Sequence, residues 1–504
     1  MGNTKEKKVG MKNNDNTDSR KKGYFSNDCV PPVRKKTIED GSGIFWDTDL
    51  PINHPEWFAI CPLDGRYVQV EDQLSAYFSE YALVKYRVYV EIQWLSFLIS
   101  NEIVNHPYSV EEYDSFFENF KFDLSSMKRV KEIESKIKHD VKSVELYIAE
   151  ELKHHGLEKL IPYVHLGCTS EDITSCAYAL MIKDCMEYVW QPKAIEVIQK
   201  LKKLSHKYAD ISMLSHTHGQ AATPTTVGKE LAVFIYRLEK AVNHCEYINV
   251  PAKFGGATGN HAAISIAYPE ENWPNNMYDF VTYWLGISFN PLTTQIESHD
   301  DLCLKLYAIN HFNNVMLDLQ WDMWTYICLE YFKQIPVADE VGSSTMPQKI
   351  NPINFENGMG NVAMSNAICS GIANKLPIAR MQRDLSDSTV QRNIGMAIGY
   401  SVQAMEETLK GLNKIAVNES KLANDLDIHW DVIGEAIQTV LRKNGDSEAY
   451  NKLKELTRGK TITEEIMKSF IESLDIPTED KTKLLQLTPA KYIGYSSSLV
   501  DLII

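Results

Sequence analysis

Between residues 342 and 361 the chain reads Gly-Ser-Ser-Thr-Met-Pro-Gln-Lys-Ile-Asn-Pro-Ile-Asn-Phe-Glu-Asn-Gly-Met-Gly-Asn. Two adjacent hydroxyls (Ser343, Ser344), an ammonium (Lys349), a carboxylate (Glu356) and several side-chain amides lie among Gly342, Pro347, Pro352, Gly358 and Gly360. That composition favours a turning loop over a helix. Other polar segments also break helical patterns: Lys138-His139-Asp140; His165 through Asp172, which contains Thr169 and Ser170; and Ser215-His216-Thr217-His218-Gly219-Gln220. Thr293-Thr294-Gln295 and the run from Arg380 to Arg392, with Arg383 and Ser388, complete the set. Guanidinium groups interleaved with hydroxyls suit phosphate or carboxylate ligands. Such parts fit elimination or addition at a carbon beside a carboxylate, which needs a base for a weakly acidic C–H, cations for the developing charge and an acid for the leaving group. Histidine suits the acid role near neutrality.

Simpler readings exist for two of these segments. Thr169-Ser170-Glu171-Asp172 before an apolar run is also the signature of a capped helix N-terminus. The His216-x-His218 pair has metal-ligand character, but no further Cys or His stands at ligand spacing nearby.

The elements that must position these groups read as helices. Apolar residues recur at helical spacing from Glu71 to Glu102 without Gly or Pro, which predicts one long amphipathic helix. Further helical stretches are expected over 125–152, 173–209 with a kink near Pro192, 227–250 and 361–412, the last interrupted over 377–392. From Asp300 to Phe332 the positions Leu302, Leu306, Ile309, Phe312, Met316, Leu319, Met323 and Ile327 form one stripe, while Leu304, Tyr307, Leu317, Trp321 and Trp324 occupy other faces. Burial on several sides, within a bundle or between subunits, is the expectation. Shorter helices should follow to the C-terminus, and with alternating strand patterns nearly absent the fold class is all-α.

The chain has 504 residues, 44% hydrophobic and 24% charged, an ordinary soluble composition with room for more than one domain. No apolar run approaches a membrane span and no secretory signal is visible. Nine scattered cysteines without a Cys-x-x-Cys pair read as small buried hydrophobes in a reducing compartment, so the expected location is cytoplasmic. The net charge of −15 argues against general nucleic-acid binding. Residues 1–36 carry ten Lys or Arg against four Asp or Glu and read as a disordered basic extension.

The segment Gly342-Ser343-Ser344-Thr345-Met346-Pro347-Gln348-Lys349-Ile350-Asn351-Pro352 resembles the signature of the fumarase/aspartase superfamily. Asp64-Gly65-Arg66-Tyr67, the Thr169-Ser170-x-Asp172 segment, Thr217-His218-Gly219-Gln220 and the run from Gln382 to Ser388 resemble the adenylosuccinate lyase family, closest to its bacterial branch, over about residue 51 to the C-terminus. The resemblance implies a three-domain helical subunit: a basic extension over 1–50, then domains over 51–158, 159–412 (the central long-helix bundle) and 413–504. It implies a homotetramer with active sites shared between subunits, a succinylated purine nucleotide as substrate, release of fumarate, and no metal or organic cofactor.

The same resemblance assigns roles. Ser343 matches a general base on a mobile lid, His218 the general acid, Glu356 its partner, and Lys349 and Asn351 the groups that hold succinyl carboxylates. Arg66, Tyr67, Arg383, Ser388 and Arg392 match phosphate and ribose contacts. His139, Asp140, Thr169, Ser170 and Gln295 match residues lining the substrate, with His165 in the same cleft. Gln348 stands where His is common, Ala221 where Pro is common and Lys138 where Asn is frequent. Met-Pro-Gln-Lys is closer to argininosuccinate lyases, which makes that activity, or another fumarate-releasing lyase, the alternative. An inactive helical structural protein is the alternative of another class, against which Ser343, His218 and Lys349 are all present.

Overall fold

The computed structural model describes residues 59–338 and 345–503. The basic extension lies outside the described residues, as do Ser343 and Ser344 and with them the part of the expected lid that carries the general base. The apolar period of residues 71–102 resolves into two helices, α1 (Val68–Phe78) and α2 (Glu80–Ser100). The break falls at Ser79, whose extended backbone and hydroxyl, accepting the Ala82 N–H at 3.1 Å, start α2. Serine serves a helix start as readily as a helix surface, so this break leaves no Gly or Pro mark in the pattern. After α3 (Val110–Asn119), the stretch 125–152 also divides, into α4 (Leu124–Ile137) and α5 (Asp140–His154). Lys138 turns left-handed there and His139 caps α5.

Helix α6 (Ser170–Cys185) passes through a π-helical turn, Met186–Trp190, into α7 (Gln191–Lys207). The irregularity thus lies just before Pro192, which sits in the first turn of α7 where a proline needs no N–H partner. An antiparallel hairpin follows, β1 (Ser212–Thr217) with β2 (Gln220–Thr226). Next come α8 (Val227–Tyr247), the short α9 (Ala262–Ala267) and α10 (Trp273–Tyr278), and the long α11 (Asp300–Cys328). Strand β3 (Phe332–Gln334) precedes α12 (Ile353–Lys375), α13 (Ser386–Gln391), α14 (Ile394–Asn413) and β4 (Ile415–Val417), which pairs antiparallel with β3. Helices α15 (Glu419–Asp427), α16 (Gly434–Lys443), α17 (Ala449–Thr457), α18 (Glu464–Ser473), α19 (Thr478–Leu485) and α20 (Ser496–Leu499) end the chain. The fold is all-α, with two short ribbons among the described residues.

Expecting a loop through Asn361 was wrong for its second half, because α12 begins at Ile353 and carries Glu356 on its first turn. Gly358 serves close helix packing rather than a turn: a Cβ there would meet Gln320 Nε2 of α11 at 2.5 Å.

Helices α7, α8, α11, α12 and α14 pack around one apolar core that includes Trp190, Phe312, Phe355 and Met405. A buried polar chain pins their register. Trp190 Nε1 donates to Ser401 Oγ (2.9 Å), Ser401 Oγ to Asn313 Oδ1 (2.7 Å), Asn313 Nδ2 to Ser365 Oγ (2.9 Å) and Ser365 Oγ to the Ala397 carbonyl (2.7 Å). Each buried polar atom in it is satisfied, so it specifies one packing of the four elements it joins. A second core forms around Trp94, Phe97, Phe254 and Phe280, and a third, C-terminal one around Trp430, Ile433 and Met467. Leu304, Tyr307 and Trp321 of α11 and Tyr236 of α8 remain exposed, so one chain covers only part of the apolar circumference of α11. Five cysteines are buried (Cys176, Cys185, Cys245, Cys303, Cys369), and all eight described ones are free thiols. No helix among the described residues is long and apolar enough to cross a membrane.

Candidate active site

The first turn of α6 is the anchor of the site. Thr169 is its N-cap, and the Asp172 carboxylate reaches back to accept the Thr169 N–H at 2.7 Å. That carboxylate is fully buried and also accepts from Lys253 Nζ (2.6 Å), the Gly255 N–H (2.7 Å) and the Gly256 N–H (3.1 Å). Loop 165–170 and loop 253–261 are thereby tied together. Glycine makes the approach possible: Gly167 (φ +73°) would place a Cβ 2.5 Å from Ile264, and Gly259 (φ +76°) would place one 2.4 Å from the Thr293 carbonyl. The third loop, 293–297, therefore lies against the second, and the Gln295 N–H donates to the Gln382 carbonyl at 3.3 Å.

From Gln382 the connection returns to α6. Arg383 Nη1 lies 2.8 Å from Glu171 Oε1, and Arg383 Nη2 lies 3.7 Å from Asp387 Oδ1. Burial raises the pKa of both carboxyls, against the pull of Arg383. The Ser388 N–H donates to Asp387 Oδ1 at 2.6 Å. Arg392 Nη2 is 3.5 Å from Asp140 Oδ2, which also takes Arg87 Nη1 at 2.8 Å. Burial pushes the Asp140 carboxyl up, but Arg87, the Val141 N–H and Arg392 together outweigh it and the net pKa is lowered. Beside Asp140, His139 Nδ1 accepts the Lys142 N–H at 3.1 Å, which leaves the proton of a neutral ring on Nε2. His165 Nδ1 sits 2.6 Å from Glu91 Oε1, one turn along α2 from Arg87. Burial disfavours the charged ring of His165, yet the Glu91 hydrogen bond and charge raise its pKa overall.

Contacts and short stretches of chain on α2, α6 and 380–392 therefore link the neighbourhoods of His139, Asp140, His165, Thr169, Gln295, Arg383, Ser388 and Arg392, with Ser170 between Thr169 and Glu171. The remaining expected residues that are described stand in two other places. Tyr67 Oη donates to Asn357 Oδ1 at 3.0 Å, and a cavity of about 880 Å³ is lined by Arg66, Tyr67, Asn354, Asn357, Glu407 and Lys410. Lys349 and Asn351 lie just before this end of α12, where the Ile350 carbonyl accepts from Gln334 Nε2 at 2.6 Å. Glu356 Oε1 accepts from Trp324 Nε1 at 3.1 Å. His218 is alone: it is exposed at the two-residue turn of the β1–β2 hairpin and makes no side-chain hydrogen bond to another described residue. His218 and Gly219 both have positive φ (54° and 72°), the conformation such a turn demands.

Backbone strain marks the same places. Of eight non-glycine residues with positive φ among those described, five (Lys138, His165, His218, His261, Met381) fall in these segments, and a sixth, His299, caps α11 just beyond the 293–297 loop. Such conformations cost about 1 to 3 kcal/mol each and persist where the surrounding structure holds them. Sequence reasoning passed over Arg87, Glu91, Lys253, His299 and Asn357. Glu91 left a signal, a carboxylate inside the apolar run Val88 to Ile92. No group of His, Cys, Asp and Glu among the described residues is arranged to hold a metal ion.

Solved structures share this order of helices. The fumarate lyase from Mesorhizobium sp. BNC1 superposes with a TM-score of 0.68 at 16% identity, covering 86% of this chain and 97% of that one. The 3-carboxy-cis,cis-muconate lactonizing enzyme from Pseudomonas putida gives 0.67 at 18% identity, covering 85% and 95%. The Lyase family model matches residues 65–369, and the Adenylosuccinate lyase C-terminal model matches residues 379–493. Adenylosuccinate lyase of Legionella pneumophila (strain Corby) is 47% identical over 449 residues, 88% of this chain and 98% of that protein. The Escherichia coli (strain K12) protein of the same name is 43% identical over 447 residues, 88% and 98%. The chain belongs to the adenylosuccinate lyase family.

Proposed function

We propose that the protein cleaves adenylosuccinate to AMP and fumarate, and the succinyl-carboxamide ribotide of purine synthesis to its carboxamide and fumarate. The observation that carries this reading is the linked neighbourhoods of Thr169, Ser170, Gln295, Arg383, Ser388 and Arg392, in a chain 47% identical to an adenylosuccinate lyase over nearly its full length. An amino-acid substrate such as argininosuccinate has no phosphate to use the two arginines and the Arg66–Tyr67 pair.

In this reading Ser343 removes a proton from the succinyl Cβ, and Lys349 and Asn351 hold the carboxylates and the charge of the carbanion. His218, paired with Glu356, protonates the purine amino nitrogen as the Cα–N bond breaks, leaving fumarate and the amine. The hydroxyls of Thr169 and Ser170 and the N–H groups opening α6 suit a carboxylate of the fumaryl half. Arg66, Tyr67, Arg383, Ser388 and Arg392 bind phosphate and ribose, and Asn357, bonded to Tyr67, joins them. His139, Asp140, His165 and Gln295 line the substrate.

His218, the start of α12 and the first turn of α6 stand in different parts of the subunit. A homotetramer, with each site assembled from more than one subunit, would bring them together and would cover the exposed apolar residues of α8 and α11. We assign residues 51–158, 159–412 and 413–504 as its three domains and the cytoplasm as its compartment. Incubation with adenylosuccinate tests the reading: AMP and fumarate should appear in equal amounts, and an unchanged substrate would refute it.

A further inference from the structure

The Asp172–Lys253 pair poses an electrostatic question. Both side chains are fully buried, on α6 and on loop 253–261, with Lys253 Nζ 2.6 Å from Asp172 Oδ1 and 2.6 Å from the Gly256 carbonyl. Asp172 occupies the third position of α6, where a bare carboxylate would cancel the positive end of the helix dipole. A buried pair of this kind is weak evidence of stability, since charged partners lose about as much in desolvation as they regain. Its clearest consequence is local. The ammonium neutralises Asp172 while leaving the carboxylate free to hold the N–H groups of Thr169, Gly255 and Gly256.

We propose that Lys253 is a positioning residue for the carboxylate-binding end of α6. It keeps Asp172 electrically silent, so that Asp172 can shape the Thr169–Ser170 turn without repelling the anion that docks there. This rests on the reading that the fumaryl half of the substrate meets that turn. Two effects of losing the Lys253 charge then act in the same direction. An uncompensated carboxylate within a helical turn of the ligand repels it, and the 253–261 loop slackens against the Thr169 turn. Both weaken the carboxylate end and spare the phosphate end, which Arg383 and Arg392 serve.

Product inhibition separates the two ends. Lys253→Gln keeps a donor toward Asp172 but removes the charge; it should raise the inhibition constant for fumarate on the order of tenfold and leave that for AMP within about twofold. The double variant Asp172→Asn/Lys253→Met is neutral again and should recover most of the fumarate affinity, whether or not the single variant folds well. A parallel change in both constants, no change in either, or a double variant as impaired toward fumarate as the single one would overturn the proposal. Failure of the underlying reading looks different: wild-type protein would then show neither turnover of adenylosuccinate nor inhibition by fumarate.

Discussion

Arg383 Nη1 and Glu171 Oε1 lie 2.8 Å apart, so the segment 380–392 is fastened to the first turn of α6, next to Ser170. The guanidinium that would meet phosphate and the hydroxyls that would meet carboxylate are thus referenced to one helix end. Lysine offers a point charge that cannot bond Glu171 and a phosphate in the same planar manner. Arg383→Lys should therefore raise KM for adenylosuccinate on the order of tenfold, with a smaller effect on kcat. Steady-state kinetics checks this, and an unchanged KM would remove Arg383 from substrate binding.

His218 stands exposed on a hairpin turn without a hydrogen bond to another described residue, so it contributes little to stability. His218→Ala should lower kcat by about 10² to 10⁴ while the melting temperature stays within experimental error of wild type. Ser343→Ala should lower kcat comparably and still bind substrate. Near-normal turnover in either variant would take that residue out of its role.

Much of this was legible in the sequence because helices announce themselves by period. The long stripe Leu302 to Ile327 became α11, and Thr169-Ser170-Glu171-Asp172 became the capped first turn of α6. The break at Ser79 was hidden because serine fits either side of a helix boundary. The β1–β2 hairpin was hidden because its strands, of six and seven residues, are short and lie between strongly periodic helices. Lys253 was passed over for a different reason: a loop lysine reads as solvated until folding buries it on a carboxylate from a distant helix. Residues such as Arg87 and Glu91 orient others, and a pattern search for groups that touch substrate does not seek them.

His299 supplies a test by pH. It is buried at the start of α11, its Nε2 lies 3.3 Å from Gln391 Nε2, and burial together with nearby Arg383 holds its pKa down, from 6.5 to about 4. The unfolded chain then binds more protons than the folded one between these values, so stability is lost as pH falls from 6.5 towards 4, by up to about 3 kcal/mol from this group. Denaturant unfolding across that range should show a shallower pH dependence in His299→Gln than in wild type. Identical slopes would mean that His299 is not held neutral.

Gly259 adopts φ +76° with no room for a Cβ against the Thr293 and Thr294 carbonyls, at 2.4 and 2.8 Å. Gly259→Ala must both strain the backbone and push the Gln295 loop away, and should cost about 2 kcal/mol or more of stability. Calorimetry would register this as a lowered melting temperature, and activity should fall with it. A wild-type melting profile would contradict the close packing of these loops.

The most direct measurement compares two substrates on the same purified protein. Adenylosuccinate and argininosuccinate are offered side by side, and release of fumarate is followed from each. The arginines at 383 and 392 and the Arg66–Tyr67 pair predict rapid turnover of adenylosuccinate and none of argininosuccinate. Turnover of argininosuccinate alone would contradict the assignment of these groups to a nucleotide phosphate, and with it the proposed function.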